Sequence, residues 1–113
     1  MIETKIKVLG TTYTIIFNAP EEDLPDGADG CMDHSEKVIR IRNIEPDRDT
    51  VKNIGFYITK VTRHEIIHAF LYESGMWSNS GDSEAWAMDE AIVDWIAIQF
   101  PKIYEVFREV GCM

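Results

Sequence analysis

At 113 residues, 45% of them hydrophobic, the chain has room for one domain with a modest core, and residues 1–113 are taken as a single unit. Twenty acidic against eleven basic residues give a net charge of −9, and no cluster of Lys and Arg is present, which argues against a surface that tracks a nucleic-acid backbone. The opening Met1-Ile2-Glu3-Thr4-Lys5 carries no apolar signal region and no apolar run reaches membrane-spanning length, so a cytoplasmic protein without membrane contact is expected.

In chain order, Lys5–Val8 and Thr12–Phe17 alternate and are rich in β-branched residues, and Leu9-Gly10-Thr11 between them predicts a hairpin turn. Residues 18–30 are rich in Pro, Gly and acidic side chains and are expected to form a loop. Lys37–Arg42 alternates, with Ile39 and Ile41 toward the core and Arg40 and Arg42 toward solvent. Asn43 to Thr50 turns into the first long helix. That helix is supported by Tyr57, Val61, His64, His68 and Leu71 on one stripe and by Ser74-Gly75 as a stop. Ser83 to Ile98 predicts a second helix, apolar around most of its circumference and hence buried. After Phe100-Pro101, residues 102–110 predict a short C-terminal helix with Ile103, Val106 and Phe107 inward. The cysteines, Cys31 and Cys112, are expected as reduced thiols. Cys31-Met32-Asp33-His34 spaces a thiol and an imidazole, but closed zinc sites need four ligands, so no structural metal is expected there.

The chemistry concentrates in Thr62-Arg63-His64-Glu65-Ile66-Ile67-His68, which contains the His-Glu-x-x-His pattern of helical zinc sites. Helical residues four apart are offset by about 40°, so His64 and His68 project from one face and can share one ion. Glu65 lies about 100° around the helix, where a carboxylate reaches an attacking water without being a ligand, as a general base must. Histidines on a buried face can also be ordinary core residues. Here, two of the chain's three histidines stand at ligand spacing with the glutamate in place.

Catalytic zinc takes three protein ligands and leaves a fourth position open. His34 lies upstream; Glu73, Asp82, Glu84, Asp89, Glu90 and Asp94 lie downstream. Glu90 stands in mid-helix among Trp and Ile, where a buried charge needs a partner. Asp94, one turn on, is placed to accept a hydrogen bond from a ligand histidine and fix its tautomer.

His64-Glu65-x-x-His68 followed by Glu90-x-x-x-Asp94 resembles the gluzincin metallopeptidases, with HExxH on one helix and ExxxD on the next. Chain length and element order look most like the small phage-encoded peptidases of ImmA/IrrE type. The resemblance implies one Zn²⁺ per chain held by His64, His68 and Glu90, with Glu65 as base and Asp94 behind the ligands. It implies a zincin-like α+β fold: a small three-stranded, mostly antiparallel sheet on two long motif-bearing helices plus the short C-terminal helix. It also implies a protein or peptide substrate added as a strand at an edge, for which residues 37–42 are the candidate. Tyr72 and His34 are candidates to stabilise the oxyanion or to touch the substrate. Two other classes compete. A silent zinc-binding regulatory module has no use for Glu65, and a metal-dependent endoribonuclease would be expected to show a third nearby histidine and a basic surface.

Overall fold

A computed structural model describes residues 2–45, 52–79 and 90–113, apart from the side chains of Asn79, Glu90, Val93 and Ala97. The chain forms an α+β fold with β1 (Ile2–Val8), β2 (Thr11–Ala19), a 3-10 turn (Glu21–Asp23), β3 (Gly30–Asp33), β4 (Val38–Arg42), α1 (Ile54–Glu73), α2 (Met76–Asn79) and α3 (Glu90–Val110). Among the described residues no helix is long and apolar enough to cross a membrane.

The expected hairpin is present: β1 and β2 pair antiparallel with Val8 opposite Thr11. Leu9 at φ 51° and Gly10 at φ 89° both adopt the left-handed backbone that a two-residue turn matched to strand twist requires. Alternation along these strands buries Ile6, Val8, Tyr13 and Ile15. The register between β2 and β4 shifts after Ile16, where Asn18 takes φ 56° and Ala19 turns inward.

The sheet has four strands, not three, in the order β1-β2-β4-β3, and is mixed because β2 and β4 run parallel. The extra strand is β3, which begins at Gly30, the last residue assigned to a loop from the sequence. It forms a hairpin with β4 through a turn in which Asp33 Oδ1 accepts from the backbone N–H and hydroxyl of Ser35. The Ser35 hydroxyl above all, and next the Glu36 N–H that also donates to Oδ1, hold the Asp33 carboxyl down at about 2. Residues 37–42 therefore cannot be the edge that receives a peptide. β4 is hydrogen-bonded on both sides, and among the described residues the sheet's two edges are β1 and β3, of which β3 lies against α1. Ile39 and Ile41 are buried as expected, while Arg42 is tied to Asp29 by Nη2 at 2.6 Å.

Helix α1 starts at Asn53, whose side chain accepts from the Phe56 N–H, and stops where predicted. Ser74 closes it, and Gly75 takes φ 83° with its N–H bonded to the Tyr72 carbonyl. Its buried residues are Thr62, Glu65, Ile66, Ala69 and Phe70. The core thus lies beside the stripe expected from Tyr57, Val61, His64, His68 and Leu71, and His64 is exposed at its rim.

Helix α3 runs unbroken through Pro101, so the second motif helix and the C-terminal helix are one element. Residues 83–89 of the expected second helix lie outside the described part, as do 46–50 of the turn before α1. Proline removes one helical hydrogen bond, but Ile103, Val106 and Phe107 beyond it all enter the core and hold the axis in place. The expectation of burial all round fails, because Ile96, Ile98 and Phe100 are exposed. Packing against β1 and α1 takes up only one side of the helix. Trp95 Nε1 donates to Ser74 Oγ at 2.8 Å, and the terminus closes back on α1 through Arg63 Nη1 donating to the Cys112 carbonyl at 2.7 Å.

The last turn of α1 is fastened to the sheet by Glu73. Its carboxylate accepts from Thr11 Oγ1 at 2.9 Å, Tyr13 Oη at 2.7 Å and Lys37 Nζ at 2.8 Å. Burial alone would raise its pKa, but the three donors outweigh burial and hold it below the usual carboxylate value. A depressed folded pKa stabilises the fold above the unfolded value and loses that contribution as pH falls through the folded one. Glu73→Gln should therefore cost roughly 1–2 kcal/mol near neutrality. In paired urea titrations across the acid range the gap from wild type should narrow below about pH 4.

Candidate metal and catalytic site

The helix places His64 and His68 one turn apart, and their Nε2 atoms stand 3.1 Å from each other. Two nitrogens bound tetrahedrally at ordinary zinc distances of about 2.0–2.1 Å would lie roughly 3.3 Å apart, so the pair fits two positions on one ion. Burial, then the neighbouring His64, lowers the His68 pKa and favours the neutral ring that metal ligation needs. Among the described residues no third His, Cys, Asp or Glu joins the pair. Glu90 is the first residue of α3, and its side chain lies outside the described part, as do Asp82, Glu84 and Asp89. Asp94 is exposed on α3, and the structure does not bring it to either histidine.

Glu65 is buried at 7% exposure and receives no hydrogen bond from any described residue. Burial raises its pKa, opposed only by His64. Its side chain fills the space over Gly30: a Cβ built on Gly30 would lie 2.9 Å from Glu65 Cγ, 3.0 Å from Glu65 Oε2 and 2.7 Å from Val61 Cγ1. The edge strand and the motif helix can approach this closely only because residue 30 has no side chain.

A latch next to Gly30 holds that approach. Asp29 accepts from the Tyr57 hydroxyl on α1 and from Arg42 on β4, and the Tyr57 bond and then the Arg42 bond keep its carboxyl below the ordinary range. Asp29, Gly30, Tyr57, Lys60, Val61, His64 and Glu65 line an open cleft of about 290 Å³. At the other end of the same helix face, His34 stacks on Tyr72 with ring centres 4.3 Å apart, and Trp77 reaches both of them and His68.

The three motif residues thus come together, as do Tyr72 and His34, although those two meet each other and lie past the histidine pair. Cys31, on β3, is half-buried, and its thiol pKa is pushed up by burial and then by the Glu65 charge. Neither Gly30 nor Trp77 is singled out as a site residue by the sequence. Glycine opening a short run before an alternating strand is the signal that could have found the first. No family model, curated protein or solved structure compared with the chain matches it.

Gly30→Ala should destabilise the protein by roughly 1–3 kcal/mol in chemical denaturation, because the methyl must displace Val61 or Glu65. Gly55→Ala is the control. Its Cβ would meet only Asn53 Oδ1 at 3.6 Å, and the change should be neutral or slightly stabilising.

Proposed function

We propose that the chain is a zinc-dependent peptidase of zincin-like, gluzincin type, which hydrolyses peptide bonds in a protein or peptide substrate. The observation that carries the proposal is the His64–His68 Nε2 separation of 3.1 Å, with the Glu65 carboxyl held beside His64 and open to the cleft. A purely structural metal site has no use for a carboxylate that lines the cleft beside the ligand pair, where a general base reaches an attacking water.

On this proposal His64 and His68 supply two protein ligands. Glu90 as the third, and Asp94 as the group that orients a ligand histidine, rest on the sequence pattern. Bound zinc lowers the pKa of water toward roughly 7 and polarises a carbonyl. Glu65 takes the proton from the attacking water as the new C–O bond forms, then delivers it to the amide nitrogen as the C–N bond breaks. Glu65 lines the cleft beside His64, where its carboxyl can reach both the water and the departing nitrogen. The edge of β3 that faces away from β4 pairs with no other strand among the described residues, so an extended peptide could add to Gly30–Asp33 and run beside the histidines.

Metal analysis of purified wild type and single variants is the test. Wild type and Glu65→Gln should carry one zinc per chain, and His68→Ala and Glu90→Ala little. Glu65→Gln should lower hydrolysis of a denatured protein substrate by at least about a hundredfold. A wild-type chain that takes up no zinc would remove the proposal.

A further inference from the structure

Past His68, rings from three separate segments meet. His34 comes from the turn after β3, Tyr72 from the last turn of α1, and Trp77 from α2. His34 and Tyr72 stack at 4.3 Å, and Trp77 stands edge-on to both at 5.7 and 5.8 Å. Trp77 also approaches the His68 ring at 6.2 Å, and it is 47% exposed, so the cluster continues directly from the histidine pair.

We propose that these rings form a side-chain subsite of the peptide cleft, selective for an aromatic residue next to the scissile bond. The inference rests on the zinc peptidase proposal and names its substrate preference. The subsite lies along the line of β3: Gly30 abuts Glu65 at one end, and His34, just beyond Asp33 at the other, abuts Tyr72. A peptide paired to that edge would pass the histidines and bring a side chain to Trp77, the exposed ring of the cluster, while His34 and Lys37 occupy Tyr72.

The charges around the rings select among side chains. Lys37 Nζ lies 4.8 Å from the Tyr72 ring centre while paired with Glu73 at 2.8 Å. A basic side chain would meet a face already facing a cation. An acidic one would meet the electron-rich faces of the rings and find the nearest ammonium taken. A flat ring has neither cost, and it can stack offset or edge-on against Trp77 while covering its exposed surface.

The test uses the full chain loaded with zinc and three small chelating probes: glycine, lysine and phenylalanine hydroxamate. Affinities come from calorimetry and zinc per chain from mass spectrometry. Phenylalanine hydroxamate should bind about tenfold more tightly than glycine hydroxamate, and lysine hydroxamate no more tightly than glycine. Trp77→Ala and His34→Ala should each reduce the phenylalanine preference while zinc per chain stays unchanged. Equal binding of the three probes to the zinc-loaded wild type, or a preference that survives both substitutions, overturns the subsite and leaves the peptidase proposal standing. Absence of zinc from the wild type overturns both.

Discussion

The contact between the Glu65 side chain and the bare backbone of Gly30 is the constraint around which the rest of the molecule is arranged. Partial burial disfavours the charged form of a carboxyl and pushes the Glu65 pKa up, against the pull of His64. Such a group is tolerated when the surrounding packing over-determines its place. Here α1 carries it on the turn that also holds Thr62, Ile66 and Ala69 in the core, so it cannot swing outward without withdrawing them. From the opposite side β3 is drawn onto α1 by Asp29, which ties the strand to Tyr57 of the helix and Arg42 of the sheet. Helix, strand and carboxylate are thus fixed by the two bonds to Asp29 and by the close packing of Gly30 on Glu65.

Sheet topology makes that approach available. Because β2 and β4 pair in parallel, the chain between them must travel the length of the sheet before re-entering, and β3 forms at the end of that journey. The β3–β4 hairpin then places β4 inside and leaves β3 outermost, lying over α1. Glu73 performs the matching task at the other end of α1, where it collects donors from β2 and from the turn before β4. Each end of the helix is therefore pinned to the sheet by an acid with its own donors. The cleft opens at the Asp29 end, where Asp29 and Tyr57 form part of its lining.

What could be seen in the sequence follows from which physical signals are local. The β1–β2 hairpin, the alternating Ile39 and Ile41, the stop at Ser74-Gly75 and the inward Ile103, Val106 and Phe107 each depend on neighbours a few residues away. The motif spacing is local in the same sense, since a helix turn alone brings His64 to His68. The four-residue strand β3 was not visible, because its residues pair with β4 and pack on α1 through contacts that no periodicity over four positions can display. With β3 missing, the strand at 37–42 looked like an edge. The division of the last helix at Pro101 failed for the opposite reason: a strong local breaker was overruled by three core side chains lying beyond it.

The chain's large negative charge says little about the field where the proposed chemistry occurs. Asp29 is neutralised by Arg42 and hydrogen-bonded by Tyr57, and Glu73 is neutralised by Lys37. Among the described acids lining the cleft, that leaves Glu65, which stands beside His64 on α1, without a paired cation. Burial drives both His68 and Glu65 toward their uncharged forms. A divalent cation reverses the balance for the carboxylate and keeps it for the imidazole, since it attracts a lone pair on one and a full charge on the other. The low-dielectric wall made by Gly30, Val61 and the core face of α1 opposes charge at Glu65 when it stands alone. That wall would strengthen the attraction once a cation sits between the rings, so the cost of burying the base becomes part of what would hold the metal.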